Sequence, residues 1–338
     1  MKSYKKMIAA LAVSSMMLAS MGPVWTVAVA APASKETKEQ KEKTIADLDA
    51  NLLKTAQTTM RQLAGKDIEL DSASEYDGVW FIYPKEGKEK GQVVIDEKTG
   101  KVTSAGVELS FEELNADMKK HALDALTNIE ASKKFTFDRV SRSISNFGKS
   151  SYDGIVLTFI NGKDASVQFD NEKLTAAAVK YDPSTVDAKV RQAAERAVKD
   201  FSGRTFQIAE AWRRQGNGDD TWSLQSASTS KGSISVLSGS QTGKVWSIHN
   251  SYVMTSRNAE VDKKLLKDVK EQDALKAADP AAKEVCGIDL KGYTVKRDKD
   301  IPNLFLFTKK GQPTVEVEVS LNKKLSMMRI APAKGGMN

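Results

Sequence analysis

Four times along this chain an alternating strand runs into a short polar turn, then a lysine, an aliphatic residue and a second strand. The copies are VVIDEKTGKVTSAGVEL around Lys101, SVQFDNEKLTAAAVKY around Lys173, SISVLSGSQTGKVWSIHNSYV around Lys244 and VEVEVSLNKKLSMMRI around Lys324. Their lysines are 72, 71 and 80 residues apart. Spacing kept this closely means a repeated supersecondary unit, too small to stand alone and gaining stability from its neighbours.

The turns suit hairpins. Thr99-Gly100 and Thr242-Gly243 put glycine where a tight hairpin needs a positive φ. Asn171 and Asn322 stand in the other two copies, as the residue most tolerant of that conformation. The flanks alternate as half-buried antiparallel strands do, through Val94 and Val102, Val167 and Phe169, Ile234 and Val236, and Val315, Val317 and Val319. Upstream of each hairpin a further strand carries Trp80 and Ile82, Leu157 and Phe159, Trp222 and Leu224, or Phe305 and Phe307. Residues two apart share one face of a sheet, so these pairs belong to a core. The other reading is an exposed aromatic binding stripe, for which Trp80 and Trp222 are the candidates.

Further upstream the apolar spacing turns helical. The stripes are Leu48, Leu52, Leu53, Ala56, Met60 and Leu63; Leu114, Met118, Ala122, Ala125 and Ile129; Val186, Val190, Ala193, Ala197 and Phe201; and Val261, Leu265, Leu266 and Val269. A second helix follows the last, with Pro280 near its start or at a kink. Gly65, Gly203 and Gly287 stand just beyond three helices, as C-terminal caps. The expected fold class is α+β, with four tandem units, each a helix packed on a small antiparallel sheet. The units span 45–109, 110–182, 183–256 and 257–332.

This arrangement resembles the PepSY superfamily, known from propeptides of secreted metalloproteases and from YpeB-like and other bacterial cell-surface proteins. Its pattern is an Ala-rich amphipathic helix, a strand carrying an aromatic, and a hairpin of the form v-x-v-D-x-x-T-G-K-v. VVIDEKTGKV (Val93–Val102) matches best. LSGSQTGKV (Leu237–Val245) keeps Thr-Gly-Lys without the Asp, the second copy keeps Asp170 and Lys173 without Thr-Gly, and the fourth keeps only Lys-Leu and its flanks. Tandem PepSY-like repeats of the YcdB/YcdC type are also similar. The resemblance implies a non-catalytic module that binds a peptidase and inhibits or escorts it.

The N-terminus reads as an export signal. MKSYKK is basic, Met7–Met21 is apolar, Gly22-Pro23 breaks the helix, and VAVAAPA offers small residues for a cut after Ala30 or Ala31. The rival is an uncleaved anchor, since Met7–Ala33 is long enough to span a bilayer. Residues 1–31 are therefore assigned to a signal peptide and 32–44 to a charged linker. The expected destination is the bacterial cell surface or beyond, with no membrane attachment after cleavage. Three of the seven excess positive charges are Lys2, Lys5 and Lys6, leaving +4 on the rest. So mild an excess argues against nucleic acid and permits association with an anionic wall polymer, the alternative function.

Catalytic patterns are absent from the sequence. The only histidines, His121 and His249, do not open H-E-x-x-H, so the chain is not a zincin carrying its own propeptide. There is no G-x-S-x-G and no phosphate loop, and GNGDD (Gly216–Asp220) lacks calcium-loop spacing. Cys286 reads as a small buried hydrophobe, with a nucleophile or an intermolecular bridge as alternatives. Arg213 and Arg214 beside Trp212 read as a charged hairpin rim or a small anion- or partner-binding patch. The expectation is an exported non-enzyme without metal or cofactor that binds a protein, most plausibly a secreted peptidase. Its candidate binding residues are Trp80, Trp222, Arg213 and Arg214.

Overall fold

The structure, a computed structural model, describes residues 44–145, 156–253, 259–299 and 301–338. The expected signal peptide and all of the linker but Thr44 lie outside them. The elements form four quartets of strands, each led by a helix. They are α1 (Ala50–Ala64) with β1 (Leu70–Tyr76), β2 (Val79–Pro84), β3 (Gly91–Asp96) and β4 (Lys101–Leu109), then α2 (Ala116–Ile129) with β5 (Arg139–Ser145), β6 (Val156–Asn161), β7 (Ala165–Asp170) and β8 (Lys173–Tyr181). The third is α3 (Ala188–Ser202) with β9 (Ile208–Gly216), β10 (Asp219–Ser226), β11 (Ile234–Gly239) and β12 (Val245–Asn250). The fourth has two helices, α4 (Ala259–Asp268) and α5 (Glu271–Cys286), before β13 (Thr294–Arg297), β14 (Leu304–Thr308), β15 (Thr314–Val319) and β16 (Leu325–Ala331).

The quartets are not four small sheets. All sixteen strands hydrogen-bond in one order, β1 through β12 and then β16-β15-β14-β13, as a single antiparallel sheet. This overturns the expectation of four helix-on-sheet units, and the physical reason is the edge strand. A separate four-stranded sheet would leave two rows of unpaired N–H and C=O groups, and joining quartets edge to edge satisfies them. The helical and β periods in the sequence mark the elements but say nothing of which edges meet. Two compact parts divide inside β8, one through Ala177 and the other Ala178–Asn338.

In the first lobe α1 is capped by Asp49, whose side chain accepts from Asn51 N–H at 2.8 Å, and ends at Gly65 with φ 74°. Its buried face is Leu52, Ala56, Met60 and Leu63, lying on β3, β4 and β5. A Cβ at Gly91 would sit 2.5 Å from the Gly106 carbonyl oxygen of the neighbouring β4 and 3.1 Å from Met60 Cε of α1, so both strand and helix crowd this position. Helix α2 starts at Asn115, whose side chain accepts from Met118 N–H, and packs on β7. Phe111, Phe137, Phe159 and Phe169 form a chain of ring contacts at 5.0–6.1 Å between centroids. Such tilted and edge-on pairs suit the ring quadrupoles.

In the second lobe α3 lies on β11 and β12 and packs against α5. One core gathers Val190, Ala194, Val198, Trp222, Leu224, Val236 and Ile248, and the other Trp246, Ala278, Ala282, Phe305, Phe307, Val317 and Met328. Phe201 and Val285 pack against both. The α3 stripe passes through the fully buried Ala194 rather than the half-buried Ala193. Leu266 is exposed, because neighbours on a helix cannot both face the core as Leu265 does. Pro280 falls inside α5, not at its start. The carbonyls of Leu265 in α4 and of Val269, just past its end, accept from the Arg297 guanidinium, which also donates to Pro302 O. That satisfies groups a helix end leaves unpaired.

Turn geometry is shared by all four copies. The residue before each repeat lysine has a positive φ: Gly100 at 62°, Glu172 at 66°, Gly243 at 71° and Lys323 at 58°. Asn171 is left-handed too, at 47°, completing a two-residue turn of the kind hairpins favour. Asn322 is not; Lys323 takes the conformation in its place.

Candidate functional site

The four sequence candidates divide between the lobes. In the first, Trp80 is 3% exposed on β2, and its ring N–H donates to Glu97 Oε1 at 3.2 Å. In the second, Trp222 is 7% exposed on β10 and meets Tyr181 edge-on at 5.1 Å. Both tryptophans are core residues, and no stripe of exposed aromatics includes them.

Arg213 and Arg214 stand inside β9, not on a hairpin rim. The two-residue turn at Asn217 (φ 51°) and Gly218 (φ 85°) folds β10 back, so that Arg213 lies opposite Trp222 and Arg214 opposite Thr221. Arg213 reaches diagonally and donates twice to Asp220, Nε to Oδ1 at 3.2 Å and Nη2 to Oδ2 at 3.0 Å. Gln215 Nε2 adds a third bond to Asp220 at 3.3 Å. Burial works to raise the Asp220 pKa, but the bonds and charge of Arg213, together with the side chains of Ser240 and Gln215, outweigh it and hold the carboxyl below the ordinary range. Successive residues on a strand face opposite ways, so Arg214 belongs to the other face. There burial weakens its hold on the proton and the charge of Asp219 opposes that loss. The pair of arginines is thus split across the sheet and is not one anion clamp.

His121 is exposed on α2 and His249 half-buried on β12. Cys286 ends α5 against the fourth-quartet core, and burial pushes its thiol up to about 12. At neutral pH it is the protonated thiol, a poor nucleophile. Among the described residues no cluster of three or more His, Cys, Asp or Glu is placed to hold a metal, and no helix is long and apolar enough to cross a membrane. No protein-family model matches this chain, and no curated protein does.

The strand order exposes a feature the sequence did not locate. Its two ends are β1 and β13. Strand β13 is four residues long and carries Lys296 and Arg297, and short, cationic strands are how proteins blunt an edge. Strand β1 has seven residues, LDSASEY, and among the described residues its outer side carries one isolated bridge, Ser72 to Thr44. It ends on Tyr76, 45% exposed beside the Asp77-Gly78 turn. Asp-Gly between alternating residues is a hairpin signal, so Tyr-Asp-Gly at 76–78 is the clue that could have found this strand.

Proposed function

We propose that the chain is a non-catalytic, exported protein-binding protein that uses strand β1 to hold an extended segment of a secreted peptidase, restraining or escorting it. The observation that carries this reading is the contrast between the two sheet ends, one short and cationic, the other longer, acidic at Asp71 and Glu75 and tipped by an exposed tyrosine. An edge of the second kind takes up an added strand through main-chain hydrogen bonds. Exposed tyrosine supplies contact area at low entropic cost and is enriched among residues that dominate binding. The resemblance of VVIDEKTGKV to PepSY hairpins supports a peptidase as the partner.

The test is inhibition of secreted peptidases from the host by purified residues 34–338 and by the Tyr76→Ala variant. The expected result is saturable inhibition by an intact protein, weakened about tenfold or more by Tyr76→Ala at an unchanged melting temperature. No inhibition at any concentration sinks the peptidase reading. Equal inhibition by both proteins removes β1 as its site.

A further inference from the structure

The segment after β16 turns back and settles between two hairpin turns of the third quartet. Met337 N–H donates to Asp219 Oδ1 at 2.6 Å, and Asp220 N–H donates to the Met337 carbonyl at 2.9 Å. Thr242 Oγ1 donates to the Asn338 backbone oxygen at 2.6 Å. The Met337 side chain packs against the fourth-quartet core. Main-chain groups of one residue are therefore read on both sides, and its side chain is held as an anchor.

The fit is also selective by shape. A Cβ at Gly336 would lie 2.0 Å from the Gly218 carbonyl oxygen, a backbone atom that cannot swing away. A Cβ at Gly239 would lie 2.1 Å from the Asn338 carbonyl carbon. The repeat explains how this space arose. In the first hairpin the position equivalent to Gly239 is Asp96, whose Oδ1 accepts from Thr99 N–H at 2.9 Å and from Thr99 Oγ1 at 2.8 Å. In the third hairpin glycine replaces that aspartate, which leaves room for Asn338 and turns the Thr242 hydroxyl toward it. The missing aspartate, a blemish in the repeat, is what makes the cradle.

One part of the fit is poor. Asn338 Oδ1 is buried without a hydrogen-bond partner among the described residues. An unpaired buried oxygen is unfavourable, so an apolar residue after the methionine suits the cradle better than asparagine.

We propose that this cradle is a binding site for a Gly-Gly-Met segment of another polypeptide, and that residues 335–338 fill it in cis. A tethered segment competes at an effective concentration on the order of mM, so it masks the site until displaced. The probe is fluorescein-labelled Lys-Gly-Gly-Met-Ala with a blocked C-terminus, titrated by anisotropy against the full chain and its Gly336→Val variant. Valine at 336 collides with Gly218 and expels the chain's own segment. The expected result is binding at least tenfold tighter to Gly336→Val than to the unaltered chain, lost when methionine in the peptide becomes alanine and weakened by adding Asp219→Asn. A folded Gly336→Val protein that binds the peptide no better than the unaltered chain overturns the proposal. Should Gly336→Val fail to fold, Met337→Ala removes the anchor without a steric clash, and the same two outcomes decide.

Discussion

The two lobes join equivalent quartets in different ways. In the first, the last strand of one quartet meets the first strand of the next, β4 with β5, along six residue pairs from Ser104↔Ser145 to Leu109↔Val140. Helix α1 reaches over that seam, touching β3, β4 and β5. In the second, the last strand meets the last strand, β12 with β16, along only three pairs from Ser247↔Arg329 to His249↔Met327. Here α3 and α5 pack on each other, and Phe201 and Val285 tie the two cores together. One seam is held by a long hydrogen-bonded ladder, the other by a short ladder backed with apolar packing. Turning the fourth quartet over also decides which strand ends the sheet. It leaves the short, cationic β13 outermost and hides β16, so that among the described residues β1 is the longer of the two terminal strands.

The contrast can be broken most forcibly in the seam strands. Ile248→Ala in β12 and Leu109→Ala in β4 each remove a buried side chain and should cost about 2–5 kcal/mol. By amide hydrogen exchange, protection of Ser247–His249 should collapse in the first variant, whereas most of the β4–β5 amides should stay protected in the second. Equal loss in both would mean that the seams do not differ in kind. Next comes Phe201→Ala, expected to cost about 2 kcal/mol because Phe201 is half-buried, with the exchange change confined to the second lobe.

A smaller effect of opposite sign tests what the lobes share. Glu172→Gly and Lys323→Gly relieve left-handed strain, one in each lobe, and each should raise stability by up to ~1 kcal/mol in thermal melts. The smallest effect is confined to acid. The Asp220 carboxyl is depressed, so its contribution is fully present above its unfolded pKa of about 3.9 and is lost as pH falls through the lower folded value. Stability of the second lobe followed below about pH 4 should therefore fall less steeply in Asp220→Asn than in the unaltered chain.

Much of the local structure was legible in the sequence. The period-2 runs at 315–319 and 234–236 are strands, and Gly65, Gly203 and Gly287 are left-handed helix caps with φ of 74°, 69° and 68°. Long-range pairing was not legible, because alternation fixes which face a residue takes and leaves open which edge its strand meets. Nothing in LSMMRIA says that β16 and not β13 adjoins β12. The site was harder still. Alternation with Ile82 and Leu224 makes Trp80 and Trp222 core residues, and their burial agrees with that; the other reading, an exposed binding stripe, fails because both side chains are buried. Tyr76 escaped notice because its exposure depends on β1 being terminal, a property of the whole sheet. Asp220 escaped because adjacent acids in a turn look like solvation until the diagonal partner, Arg213, is in place.

The claim on which both the sheet and the β1 reading depend is that the fourth quartet enters turned over. Directly opposed residues in an antiparallel pair have Cα atoms about 4.5–5.5 Å apart, within disulfide range. In a Cys286→Ser background, the pair Ser247→Cys with Arg329→Cys should oxidise to an internal disulfide, read by mass spectrometry of an unreduced digest. The pair Ser247→Cys with Lys296→Cys, which would link β12 to β13, should remain as two thiols. A disulfide in the second pair and none in the first would contradict the account, placing β13 beside β12 and leaving β16 as the outer strand.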